Sequence, residues 1–381
     1  MPKAKSFGMS TVPNTSLLFA HPDRYRRGRS HRLRLGYVQL SDAAPFMIAE
    51  AQGLFQKYGL DVELHRELGW ATVRDKIIYG ELDAAQALAP MPFSATLGLG
   101  IPIARECVAA MTLNVNGDAI TLSTRLQEAG VTDENDLRSY VHHLPSEQKL
   151  TLGVVSLYSP HHILLRMWLK KIGLEAERDV RIVVIPPAQM LRNLETGNLD
   201  GYCVGEPWNG AAVYRKSGWI VATSQTLAPN HPEKVLMMRH DFINNSSADC
   251  IRLIAALSEA CEYCDAPESR EDLIRFLSSE NHLDCPEAWL HYGLTATLAH
   301  NTPKPSLPLN TLSFHGPSVN EPSAEHARWV IDGLRTCGLL QSEPAHDAML
   351  TSSVCAPEYY HAAIRLRNQT PVAAPAVAAV S

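Results

Sequence analysis

Four side chains in this sequence are of unusual type for the segments that carry them: Trp70, Gln86, His161 and Lys234. Trp70 heads an amphipathic segment but lies outside its apolar stripe of Val73 and Ile77; its indole N–H is a donor with no acceptor function. Gln86 interrupts the apolar run LDAAQAL, where an amide must find partners or cost stability. His161 falls in the first turn of a helical segment. The macrodipole disfavours the imidazolium there, so a neutral ring donating one N–H is expected. Lys234, in NHPEKVL, supplies the single positive charge of the set. Each residue also has a plainer reading. Trp70 can cap a core at a lobe edge, Gln86 can be a satisfied core amide, His161 a cap or core residue, and Lys234 an exposed lysine. As a set they offer donors and one cation, without a nucleophile–base pair. That chemistry suits a small monovalent anion with no protons to donate.

Metal and redox chemistry are weakly supported. Cys261-Glu-Tyr-Cys264 is a lone CxxC inside a helical run, with no second CxxC among the eight cysteines, and reads as two buried small apolar positions. His161 and His162 make a poor metal pair, because adjacent helical side chains diverge by about 100°.

The elements that must position these residues are visible in the hydrophobic pattern. LRLGYVQL alternates from Leu33 and reads as a strand. Ser41-Asp42 caps the helix expected over 46–58, with Pro45 in its first turn, and Gly59 stops it. Leu60, Val62 and Leu64 alternate in a second strand; a helix over 70–79 ends at Gly80, and 82–88 is a third strand. This βαβαβ unit recurs over 150–223: strands at 150–156, 181–185, 199–204 and 219–223, with helices opened by Ser159-Pro160, Pro187 and GEPW. Residues 225–370 read as mainly helical and return to the first lobe through a crossing strand at 235–239. The segment from His300 to Pro322 carries five prolines and is too long for an ordinary connector, so it is either a lid or a disordered loop.

Ligands of open parallel α/β sheets bind beyond the carboxyl ends of the strands, where helix N-termini present unpaired N–H groups. In this chain those places include Ser41–Ala44, the segment from Gly69 through Thr72, Gln86–Pro92, Ser159 through His162, and Gly205-Glu206-Pro207-Trp208. Thr72, Pro160, Gly205, Glu206, Pro207 and Trp208 are therefore candidate neighbours of the ligand.

Composition narrows the function classes. Across 381 residues, 34 Lys+Arg against 40 Asp+Glu give a formal charge of −6, which argues against binding nucleic acid through bulk charge. No run of about 18 apolar residues exists, so no spanning helix is expected. Within the first 30 residues the longest apolar patch is Leu17–Ala20, short of the roughly 7–15 residues of a secretory signal; a cytoplasmic location is expected. Six arginines between Arg24 and Arg34 read as a solvated arm or as salt bridges to the body, with contact to RNA or an acidic partner as the alternative. The expected organisation is a flexible basic arm (1–30), a discontinuous first lobe (31–115 and 226–369), a second lobe (116–225), and a disordered Pro/Ala tail (370–381).

RLGYVQLSDAAPFMIAEAQGLFQKYGLDVEL, GWATVRDK, the Gln of AQAL with APMPF, SPHHILLRMWL, GEPWN, NHPEKVL and NEPSAEHARWV together resemble the nitrate- and bicarbonate-binding proteins of ABC uptake systems (the NrtA/CmpA family), over roughly residues 31–345. The resemblance implies a type II periplasmic-binding-protein fold, with two doubly wound α/β lobes joined by crossing strands around a cleft. It also implies a nitrate site of Trp70, Gln86, His161 and Lys234; no cofactor and no metal are expected. Combined with the expected cytoplasmic location, the chain looks like the NasS-type nitrate/nitrite sensors. These sequester NasT, an ANTAR-type RNA-binding antiterminator, and release it when ligand binds. The alternatives are a transport component for nitrate, bicarbonate or a sulfonate, and an enzyme on the same fold. The cysteine-rich run of the pyrimidine-precursor synthase on that fold is missing here.

Overall fold

The computed structural model describes residues 32–145, 147–295, 312–316 and 318–370. Among the described residues, ten strands form two five-stranded sheets. The first contains β1 (Leu33–Val38), β2 (Val62–Glu67), β3 (Ala84–Leu88), β4 (Cys107–Val115) and β10 (Pro232–Arg239), in the order β2-β1-β3-β10-β4. The second contains β5 (Asp118–Ser123), β6 (Leu150–Val154), β7 (Val180–Val184), β8 (Gly201–Gly205) and β9 (Gly218–Thr223), in the order β7-β6-β8-β5-β9.

The two sheets share one plan. Each has three parallel strands, then one antiparallel strand from chain that has just crossed from the other sheet, then an edge strand. β10 plays this role in the first sheet and β5 in the second. The outward crossing is only Asn116-Gly117, both at positive φ (60° and 99°). The return runs through residues 224–231.

Alternation located β1 and β2, and short apolar runs after glycine stops located β3 and β8, in which every residue is buried. β4 and β5 were not anticipated: every residue in both is buried, but Thr112, Asn114, Asp118 and Thr121 interrupt the continuous apolar run that such strands usually show. The helix expected over 46–58 is two helices, Ala44–Ala51 and Leu54–Lys57. Gly53, at φ 67°, breaks it, because the left-handed conformation ends one helix and aims the next. Ser41-Asp42 does not cap through its side chains; it forms a 3-10 turn, Ser41–Ala43, with no side-chain cap bond. The crossing strand starts three residues earlier than expected, at Pro232.

Helices cover both faces of the sheets and bury three apolar clusters. One lies under Ser247–Asp265 and Ala44–Ala51, one on the opposite face of the first sheet and reaching into β8, and one within the second lobe. Cys261 and Cys264 are fully buried in the first of these, as a packing role requires.

Of the proline-rich segment, 300–311 lies outside the described residues. The part that follows is bonded to the first sheet: Ser313 pairs with Val115, and Asn320 donates to the Thr112 and Phe314 carbonyls. The arm (1–30) and the tail beyond Thr370 also lie outside the described residues. Arg32 and Arg34, at the end of the basic stretch, pair with Asp61 and Glu63 and with Asp83 respectively. Among the described residues, no helix is long and apolar enough to cross a membrane.

Candidate functional site

The two sheets meet at a buried cluster of polar side chains. β3 brings Gln86, the helix Trp70–Ile78 brings Trp70, and the turn before Ala44–Ala51 brings Asp42. From the second lobe come Asp118 at the start of β5, His161 in the first turn of Pro160–Lys171, and Glu206 just after β8. β10 and the residue before it add His231, Glu233 and Lys234. None of these side chains is more than about 2% exposed.

Glu233 and Lys234 are adjacent in a strand, where neighbours normally face opposite sides. A bulge allows both inward: Pro232 pairs with Val115 and Lys234 with Asn114, so Glu233 is an extra residue against β4. Its backbone is used all the same, because the Ala89 N–H donates to the Glu233 carbonyl.

The charges are tightly interlocked. Lys234 Nζ lies 2.7 Å from Asp42 Oδ2 and bonds Glu233 Oε1. It also sits 5.2 Å from the Trp70 ring centroid, within cation–π range. Gln86 donates to Asp42 Oδ1 (2.6 Å) and accepts from the Val38 N–H (3.2 Å). His161 Nε2 is 3.0 Å from both Asp118 Oδ1 and Glu233 Oε1; one N–H cannot point at both, so this is ion pairing rather than a linear hydrogen bond. His231 Nε2 is 3.3 Å from Asp118 Oδ2 and 3.7 Å from Glu233 Oε2. The Ser41 N–H donates across the lobes to the Glu206 carbonyl.

Burial favours the neutral form of every one of these groups, and the outcome depends on the partner. For His161 and His231 burial is opposed and outweighed by Asp118 and Glu233, which raise both rings to about 9. The neutral His161 expected from its helix position is corrected accordingly: two carboxylates from other strands outweigh the macrodipole, and the ring is an imidazolium at neutral pH. Burial raises the Asp42 carboxyl against the pull of Lys234. For Glu233, burial is overcome by Lys234 and His161, which hold it well below the ordinary range. Glu206 has no such cation, and burial pushes it up to about 8 although Gly210 N–H donates to it.

Trp70, Gln86, His161 and Lys234 therefore come together in one buried cluster, linked through Asp42 and Glu233. Within the cluster, Trp70 Nε1 and both ring nitrogens of His161 are buried without a hydrogen-bond partner. Among the candidate neighbours, Gly205 adjoins the cluster, where a Cβ would stand 3.4 Å from Asp42 Oδ2. Pro160, Glu206 and Pro207 are buried beside it, and Trp208 is half-buried against Trp289. Thr72 is exposed on its helix and does not belong. His162 turns away; it meets the Leu157 carbonyl and accepts from Arg166.

The positive charge of the cleft is not Lys234 alone, and the carboxyl groups of Asp42, Asp118 and Glu233 were not anticipated. The proximity of His231 and Glu233 to Lys234 in NHPEKVL was the available signal. Asp118, His231 and Glu233 lie close enough to share a metal ion. A metal there would compete with the Lys234 ammonium for Glu233 and would need His231 deprotonated.

The model of the NMT1-like family matches residues 27–278. The nitrate import ATP-binding protein NrtC of Synechocystis sp. is 38% identical over 310 residues, 81% of this chain and 46% of that protein. The nitrate/nitrite binding protein NrtA of Synechocystis sp. is 34% identical over 265 residues, 66% of this chain and 58% of that protein. The chain spans about half the length of the curated relatives it matches. The crystal structure of the periplasmic nitrate-binding protein NrtA from Synechocystis PCC 6803 matches with a TM-score of 0.80 and 26% identity, covering 90% of this chain and 91% of that one. The alkanesulfonate-binding protein SsuA from Xanthomonas axonopodis shares the fold at a TM-score of 0.63 and 16% identity, over 86% of this chain and 99% of that one. The architecture is that of the periplasmic binding proteins.

Proposed function

The chain belongs to the NMT1-like family, and from that premise we propose that it is a cytoplasmic nitrate/nitrite sensor rather than an enzyme. Nitrate is held between the lobes by Trp70, Gln86, His161 and Lys234, and occupancy controls the release of a NasT-like ANTAR antiterminator. The observation that carries the anion reading is the meeting of Lys234, His161 and the partnerless Trp70 indole N–H in one desolvated cluster between the lobes. Donors there are worth more than in water. The names of the relatives, a nitrate importer component and a nitrate/nitrite binding protein, point to the same ligand class.

A reducing compartment is supported by the cysteines. All eight are free, and six are buried, which suits a protein kept reduced. RNA contact is left to the partner, consistent with the net charge of −6. The relatives also support a second reading, a substrate-binding part of an importer for nitrate, bicarbonate or a sulfonate.

Coupling requires that nitrate affinity differ between the free and partner-bound sensor, and reciprocity makes the two factors equal. Calorimetric titration of nitrate with and without the antiterminator is expected to give weaker binding in the complex. Equal affinities would remove the sensor role and leave the importer reading.

A further inference from the structure

Two of the four donors assigned to nitrate already hold a planar anion of the protein's own. The Glu233 carboxylate takes the Lys234 ammonium and the His161 Nε2 through Oε1, while Oε2 has no hydrogen-bond partner. A carboxylate presents planar oxygens with delocalised negative charge, as nitrate does. It reaches this position because the bulge in β10 inserts it beside Lys234, and bulges recur where a side chain is re-aimed at a site.

Charge matching makes the position consequential. Three carboxyl groups (Asp42, Asp118, Glu233) face three cationic groups (His161, His231, Lys234), all buried. A further anion on the same donors would stand beside the Glu233 carboxylate as a like charge in a desolvated site, which is strongly disfavoured. Resting on the nitrate reading, we propose that Glu233 is a resident competitor for the anion: nitrate binds by taking over the donors of its carboxylate, which leaves them and takes up one proton.

The surroundings of Glu233 account for that proton. Lys234 and His231 face it from its own segment, Asp118 from β5, His161 from the helix Pro160–Lys171, Asp42 from the turn at 41–43, and Cys203 from β8. Glu206 lies near Asp118, and the helix Ala324–Thr336 adds Trp329, its ring tilted by 42° and centred 5.0 Å from that of His231, and His326. What keeps the Glu233 carboxylate ionised is chiefly Lys234 and His161, with His231 at 3.7 Å from Oε2 as the weaker cation; once nitrate has the first two, burial and the Asp118 carboxyl oppose His231 alone. Glu206, pushed up to about 8, already carries its proton at pH 7 and is not the acceptor.

The test is calorimetric titration of the full chain with sodium nitrate from pH 6 to 8, in two buffers of different ionisation enthalpy. The wild type is expected to take up about one proton per nitrate and to lose about tenfold in affinity per pH unit. Glu233→Gln keeps the shape and removes the competing charge; it is expected to bind at least tenfold tighter at pH 8, with no proton uptake and no pH slope. Glu233→Asp keeps the carboxylate and should keep the proton uptake, so a folding failure of the glutamine variant leaves the question decidable. Equal or weaker binding by Glu233→Gln, or proton uptake that disappears in Asp42→Asn instead, overturns the competitor role while nitrate binding stands. A wild type that takes up no nitrate at any of these pH values overturns the nitrate reading and the competitor with it.

Discussion

The cleft and the core beneath the helix Ser247–Asp265 are equally dry, yet their titratable groups behave in opposite ways. In the core, Cys250, Cys261 and Cys264 are 0–1% exposed, and burial raises all three thiols, so they stay protonated and inert. In the cleft, His161, His231, Lys234 and Glu233 are 0–2% exposed, yet all four are charged at neutral pH. The difference is opposite charge within about 3–4 Å, which offsets desolvation. The lesson is that burial alone silences a group, whereas burial beside a counter-charge stores a charge that a ligand can exchange.

The strongest way to break this contrast is to remove the ammonium both carboxylates share. Lys234→Met leaves Asp42 and Glu233 buried without their nearest cation. It is expected to lower stability by about 3–5 kcal/mol at pH 7 and nitrate affinity by at least about 100-fold. Urea unfolding and calorimetry read the two effects. A variant as stable as wild type that still binds nitrate would show that the cleft charges do not depend on one another.

This interdependence is also what the sequence did not reveal. Trp70, Gln86, His161 and Lys234 were legible because each is chemically odd for the element carrying it, a polar or aromatic group where the period calls for something else. Their partners were not. Asp42 has the type and place of a helix cap, although its side chain turns into the cleft. Glu233 enters through a bulge, which alternation cannot register. Asp118 begins β5, a strand whose buried polar residues break the apolar run by which a fully buried strand is read. The protonation of His161 was misjudged for the same reason, since the carboxylates that set it arrive from β5 and β10. The lobes themselves were readable, because β1, β2 and β3 follow hydrophobic patterns punctuated by glycines at positive φ, among them Gly59 and Gly80.

Glu206 sharpens the contrast, because it sits in the cleft but obeys the rule of the core. It is buried without a cation and pushed up to about 8; Gly293 packs so closely that a Cβ there would lie 2.3 Å from its Cγ. Its folded pKa is raised, so the folded state holds the proton more tightly than the unfolded one. The stability this contributes is complete below the unfolded value of 4.5 and is lost as pH rises to about 8. Glu206→Gln cannot ionise, and its side-chain oxygen can still accept from the Gly210 N–H. The variant is expected to gain on wild type by about 2–4 kcal/mol between pH 5 and 9, measured as the difference between their unfolding free energies. A constant difference across that range would put Glu206 among the paired charges.

The smallest effect belongs to the core itself. Cys264 is fully buried, with Cys261 one turn away and donating its thiol to the Leu113 carbonyl. Cys264→Ala removes one sulfur from a packed interior and is expected to cost about 1–2 kcal/mol, seen as a lowered Tm. Nitrate affinity should not change, because no charged group of the cleft rests on the thiol. In the wild type, Cys264 should react with a thiol reagent only as fast as the core opens, since burial suppresses both the thiolate and access to it. A native-state labelling rate near that of a free thiol, or an altered nitrate affinity in Cys264→Ala, would mean that this core is coupled to the cleft, and burial without a counter-charge would no longer suffice to keep a group silent.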